Sequence, residues 1–221
     1  TYTRVSTMLE KGHTKAGIKL REKYADIVDH LDELFALYKV LHRARIQRGA
    51  IEFETSETRI VFGQERKIEE IVEVERNQAH RLIEECMLSA NVAAADFLTQ
   101  HKLAGLYRVH DGPTEEKLKN LRDFLAELGL SLRGGAQPSP QDYQLLAQQI
   151  QNRPDAHLIQ TVMLRSMQQA VYSADNNGHF GLAYEGYAHF TSPIRRYPDL
   201  LLHRAIRSVI RSRRKSKWVR R

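Results

Sequence analysis

The residues with most chemistry to offer lie between Gly178 and Ile206, GHFGLAYEGYAHFTSPIRRYPDLLLHRAI, where glycines, aromatics and a helix-start signal meet charges placed against local preference. Ser192 is a favoured N-cap and Pro193 suits a first helical position, so Thr191-Ser192-Pro193 predicts a helix start. The next turn favours acids, yet it holds Arg195 and Arg196, each opposed by the helix dipole by about 0.3–1 kcal/mol at an exposed site. An anion would offset that cost. Free N–H groups with two planar guanidiniums make a receptor for a phosphodiester. For an isolated arginine pair, solvated surface charge is the commoner outcome. Pro198 restricts Tyr197 and kinks or restarts the helix, returning Asp199 to the favourable end of the dipole.

Other polar residues weigh less. His203 stands four residues from both Asp199 and Arg207, the spacing of a surface ion pair. Glu84 and Asn91 fall on one stripe of a helical segment rich in small residues at Ser89 to Ala95. Buried polar groups need partners, so these two either bond to backbone, the commoner case, or hold a ligand's hydroxyls. Asp26, Asp29 and Asp32 lie on a charged flank, which reads as a solvated face rather than a cation site.

At 221 residues and 42% hydrophobic content the chain can bury one core. It has no apolar run long enough to span a bilayer and no leader, so a cytoplasmic location and no membrane partner are expected. Cys86 is the single cysteine, which rules out an internal disulfide. Net charge is +7, but residues 207–221 hold eight basic residues and no acid, leaving 26 basic against 27 acidic before them. Bulk attraction for polyanions therefore belongs to the tail, and a site in the body rests on particular residues.

The elements that must position these groups follow from periodicity. Tyr2 to Leu9 is a short segment whose abrupt start suggests the middle of a larger protein. Ile27, Leu31, Leu34, Phe35, Tyr38 and Leu41 predict one helix from Ile18 to about Gln47, ending near Gly49. Ile51 and Phe53, then Ile60 and Phe62, predict two strands around a turn at Glu54–Glu57, in a glutamate-rich stretch no phosphate groove would cross. Arg76 to His101 is predicted helical, with Leu82, Cys86, Ala90 and Ala93 on one stripe and Glu84, Met87 or Leu88, and Asn91 on another. Leu106–Val109 reads as a short strand. Thr114 caps a helix to Leu128 that Gly129 ends, Ser139-Pro140 opens another with Asp142 near the box position, and Asp155 opens a third through Tyr172. Gly178–Tyr184 reads as a strand closely approached by another backbone. The fold class is α+β, mainly α, with its β component near residues 51–72 and 178–186.

HFGLA, then YAHFTSPIRRYPDLLLHR at Tyr187 to Arg204, together with LIEECMLSAN at Leu82 to Asn91, resemble the catalytic (RNB) domain of the ribonuclease II and ribonuclease R family of exoribonucleases, most of all its bacterial ribonuclease R branch. The resemblance implies processive 3′-to-5′ hydrolysis of single-stranded RNA with a free 3′ end to nucleoside 5′-monophosphates, using Mg²⁺ held by aspartates. By matching position, Arg195 is implied to neutralise charge at the scissile phosphate. Phe53 is implied as one jaw of an aromatic clamp, Glu84 as the partner of a sugar hydroxyl, and Tyr2 as a residue that distinguishes RNA from DNA. Asn91 and Arg196 join them as RNA-binding candidates.

The family's aspartate cluster and second clamp residue lie upstream of its equivalent of Tyr2, and its catalytic glutamate and S1 domain lie downstream of the equivalent of Arg221. The chain is thus expected to be a monomeric partial RNB domain at 1–206 with a basic helix end and tail at 207–221, inactive alone, its metal ligands outside it. The rival reading is a non-catalytic RNA-binding or partner-binding module on the same scaffold. A helical DNA binder lacks the helix-turn-helix spacing.

Overall fold

The computed structural model describes residues 1–53, 57–63, 66–74 and 76–219, of which 57, 74 and 213–219 as backbone only. Helix makes up 59% of it and strand 10%, which bears out the mainly α class. The chain forms two compact units, residues 1–44 with 53–86 and residues 45–52 with 87–221.

The first unit opens with α1 (Tyr2–Glu10) and α2 (Lys15–Lys23), the latter capped by Thr14, whose side chain accepts from Gly17 N–H. It continues into α3 (Ala25–Arg48), which ends at Gly49 with φ +87°, a left-handed closure glycine makes at little cost. The single helix expected from Ile18 is two: the backbone leaves the helix at Tyr24 (φ −117°, ψ 32°), whose hydroxyl accepts from Arg4. A one-residue break hardly disturbs an apolar period, so the sequence hid it. Asp32 on the charged flank pairs with both η nitrogens of Arg21.

A hairpin follows, β1 (Glu57–Phe62) antiparallel to β2 (Ile68–Val74), with Ile60 opposite Ile71 and a register shift after Val61. The expected strand at Ile51–Phe53 is corrected: those residues are not extended pairs, and most of the expected turn, 54–56, lies outside the described residues. Two apolar residues two apart are too few to fix a period. Ile51 instead gives its N–H to Gly181 O, within the second unit. Among the described residues, Met8, Val28, Tyr38, Ala79 and Leu82 are the buried apolar residues of the first unit.

Helix α4 (Gln78–Gln100) is shared by the two units. Its buried face is Ala79, Leu82, Glu85, Leu88, Asn91, Ala94, Ala95 and Leu98: it takes Leu82 from one expected stripe and Leu88 with Asn91 from the other, while Cys86, Ala90 and Glu84 are half-buried and Ala93 is exposed. A helix of alanines and other small residues gives little contrast from which to read a phase.

In the second unit β3 (Tyr107–Val109) pairs antiparallel with β4 (Val171–Ser173). Three helices separate these strands. Helix α5 (Glu115–Glu127) is capped by Thr114 and buries Leu118, Leu121 and Leu125; α6 (Pro140–Ile150) carries a full capping box between Ser139 and Asp142; α7 is Ala156–Ser166. That last helix stops six residues before the expected Tyr172, and β4 takes up the remainder. The expected strand at 178–186 is also corrected. Gly178 (φ +75°) and Ala183 (φ +52°) interrupt extension, leaving a 3₁₀ turn at Phe180–Leu182 and single bridges from His179 to His110 and Tyr184. The close approach is real: a Cβ on Gly181 would lie 3.0 Å from His110 Nδ1, which accepts the Gly181 N–H. Ala94, Ala95, Leu98, Tyr107, Val109, Ala188 and Leu202 form the core beneath this end of the unit. Helix α8 (Tyr197–Val219) runs unbroken into the basic segment.

Candidate functional site

The turn carrying the two arginines takes its form from two prolines. Residues 193–195 make a turn, with Arg195 and Arg196 N–H both directed to Ser192 O at 3.3 and 3.1 Å, and α8 begins only at Tyr197. The helix expected from Pro193 is therefore displaced. Pro198 has no N–H, and in a continuous helix its ring would clash with the carbonyl of Ile194. Both arginines stand just ahead of the helix N-terminus.

The two arginines differ sharply. Arg196 lays Nε and Nη2 on the two carboxylate oxygens of Asp199, both at 2.8 Å, and Asp199 also accepts the Ser192 N–H at 2.8 Å. Asp199 is completely buried. Burial alone would raise its pKa, but the hydrogen bonds from Arg196 and Ser192 outweigh it and hold the carboxyl below the usual range. Arg195 is exposed, and its Nε donates to Ser192 Oγ at 2.8 Å. Among the described residues its η nitrogens have no hydrogen-bond partner.

Asn91, 1% exposed, anchors the segment leading into this turn. Its Nδ2 donates to Tyr187 Oη at 2.8 Å and its Oδ1 accepts Phe190 N–H at 2.9 Å. Phe190 O accepts from His203 Nε2 at 2.9 Å, and the two rings stack at 4.2 Å. His203 is thus a bracket for the turn rather than half of a surface ion pair. Both ends of the Asn91 amide are thus engaged by protein groups, Tyr187 Oη and the Phe190 N–H.

Between these anchors His189 hydrogen-bonds Tyr172 Oη at 2.7 Å, and the Arg108 guanidinium lies 4.7 Å from the Tyr172 ring centre. Burial and the charges of Arg196, Arg108 and Arg195 push His189 down to about 4, against the opposing pull of Asp199. It is a neutral imidazole at neutral pH. Sequence reasoning passed over Asp199, Tyr172 and His189 as site components; only the Arg196–Asp199 spacing of three carried a signal.

In the first unit Tyr2 is 46% exposed and stacks on His80 at 4.2 Å, 14° from parallel. Glu84 sits one turn further along α4 on the same side and pairs with Arg76. Tyr2, on α1, thus packs against the residue one turn before Glu84 on α4. Glu85, at 4% exposure, is the acid that α4 buries. Next to them a polar cavity of about 280 Å³ is lined by Thr3, Thr7, Lys11, Arg76, Asn77 and Arg81, among others. Phe53 is half-buried, in the same unit.

Among the described residues no group of three or more His, Cys, Asp or Glu side chains is arranged to hold a metal ion. No helix among them is long and apolar enough to cross a membrane. The second unit thus presents an exposed arginine on a hydrogen-bonded turn, and the first unit an exposed tyrosine stacked on His80.

Residues 1–212 match the RNB domain family. Ribonuclease R of Vibrio parahaemolyticus is 58% identical over 99% of this chain and 26% of its own length. Ribonuclease R of Escherichia coli is 52% identical over 95% of the chain and 25% of its own. Among solved structures, Mycoplasma genitalium RNase R in complex with ribose methylated single-stranded RNA superposes with a TM-score of 0.81 at 27% identity, over 93% of this chain and 31% of that one. The yeast pseudonuclease Ssd1 shares the fold, with a TM-score of 0.61 at 19% identity over 82% of this chain and 23% of that one. The chain belongs to the RNB domain family. It spans about a quarter of the length of the ribonuclease R relatives it matches.

Proposed function

We propose that this chain forms part of a processive 3′-to-5′ exoribonuclease that degrades single-stranded RNA to nucleoside 5′-monophosphates, in the cytoplasm. The observation that carries the reading is Arg195, exposed, held by Ser192, with both η nitrogens open to a ligand. A phosphodiester under attack gathers charge on its non-bridging oxygens, and a preorganised guanidinium stabilises that charge without reorganising. Arg196 is committed to Asp199 and serves the shape of the turn.

Tyr2 and Glu84 are suited to the terminal ribose. A carboxylate accepts a hydroxyl hydrogen bond that deoxyribose cannot offer at the 2′ position, which is how a protein separates RNA from DNA. Phe53 supplies a face on which any base can stack, giving grip without sequence preference. Mg²⁺ would activate the attacking water and stabilise the leaving oxygen. Among the described residues no group of side chains fits such an ion; the reading places its ligands outside this chain, as the family resemblance implies, and no step here is assigned through it.

The test uses the full-length product of the reading frame encoding this chain, on 3′-tailed RNA with Mg²⁺ or EDTA. Arg195→Ala is expected to lower single-turnover rate by about 10²-fold, with RNA affinity changed far less, and Arg195→Lys to recover part of it. Affinity falling in step with rate would make Arg195 a simple phosphate anchor. Failure of the unsubstituted protein to release monophosphates would favour the non-catalytic RNA-binding or partner-binding module. Residues 1–221 alone are expected to release none.

A further inference from the structure

We propose that Ser192 is a positioning residue that fixes which edge of Arg195 meets the phosphate; the inference rests on the reading of Arg195 given above. A guanidinium can grip two oxygens side-on through Nε and one η nitrogen, or end-on through both η nitrogens. Ser192 Oγ occupies Arg195 Nε at 2.8 Å. The side-on edge is blocked and only the end-on fork is open to a ligand.

The hydroxyl can impose this choice because its own residue is fixed on every side. Ser192 N–H donates to the buried carboxylate of Asp199 at 2.8 Å, and Ser192 O accepts the backbone N–H of both Arg195 and Arg196. Asp199 is in turn neutralised by the fork of Arg196. Two residues upstream, Phe190 is held at its N–H by Asn91 and at its carbonyl by His203. The flexible part of Arg195 is therefore its side chain alone, and one hydrogen bond at Nε removes the rotation that would swing the fork. A long exposed side chain otherwise samples many rotamers. Holding one of them before RNA arrives is a contribution to the rate-limiting geometry rather than to binding, since small misplacements of a reacting group are costly.

The experiment is a double-substitution cycle in the full-length protein, reading single-turnover cleavage, RNA affinity in EDTA and melting midpoint for Ser192→Ala, Arg195→Ala, the pair, and Ser192→Thr. Ser192→Ala is expected to slow cleavage by about 10-fold, the loss of one hydrogen bond to a charged group, with affinity little changed. Ser192→Thr, which keeps the hydroxyl, is expected to stay near the parent rate. In the Arg195→Ala background Ser192→Ala should cost nothing further, because the group it positions is gone. An equal cost in both backgrounds, no cost in the parent, or a Ser192→Ala protein that does not fold would each overturn the proposal. An Arg195→Ala variant with parental rate would instead overturn the functional reading beneath it.

Discussion

Arg196 and Asp199 form a two-point ion pair with both bonds at 2.8 Å, one partner wholly buried and the other 18% exposed at its side chain. Removing the cation strands a buried carboxylate, a loss of about 3–5 kcal/mol when a pair is fully enclosed and nearer the lower figure here. Arg196→Ala should therefore shift the denaturant midpoint strongly. Its cleavage rate, measured below the melting transition, should fall less than that of Arg195→Ala. The opposite order would exchange the roles of the two arginines.

Asn91 joins residues nearly a hundred positions apart. Asn91→Ala leaves the Tyr187 hydroxyl and the Phe190 N–H without their partner, at about 1–3 kcal/mol for each buried group. Chemical denaturation should show that loss, and RNA affinity of the folded fraction should be close to parental. Tight coupling of affinity to this residue, with stability unaltered, would return Asn91 to the RNA-binding set.

Burial, helped by neighbouring His110, pushes His179 down to about 4, and His189 is lowered to a similar value. An unfolded histidine titrates near 6.5, so between about pH 6.5 and 4 the unfolded chain binds more protons than the folded one. Stability is then full above pH 6.5 and declines as pH falls towards 4. His179 contributes up to about 1.4 kcal/mol per pH unit in that window, and half-buried His189 less because solvent screens it. Denaturant midpoints at pH 7 and 5 read the slope. His179→Asn, which keeps a cap for the 3₁₀ turn, should flatten it; an unchanged slope would place the protons elsewhere.

Phe53→Ala in the full-length protein should loosen the hold on terminal nucleotides, since stacking on an aromatic face is worth about 1–3 kcal/mol per base. A longer limit product on a denaturing gel is the expected result. An unchanged ladder would make Phe53 a packing residue only.

Local chemistry was legible wherever one element carried its own instructions. Thr114, Ser139 with Asp142, and the leucines of α5 predicted their helices because caps and apolar period act within a few residues. The motif around Arg195 was equally readable, because its residue types are unusual for their positions. Local pattern could not say which arginine keeps its η nitrogens open: that depends on a buried Asp199 taking the fork of Arg196 and on Ser192 Oγ taking only Arg195 Nε. The strand at Ile60 and Phe62 was readable, but its partner strand and the turn at Phe180–Leu182 were not, since pairing partners and the contact of Gly181 with His110 decide the backbone there. Asn91 shows the limit most plainly. A polar residue on a small-residue helix can face a ligand or a distant loop with the same local period, and only the packed chain, by bringing Tyr187 and Phe190 to it, determines which groups its amide must satisfy.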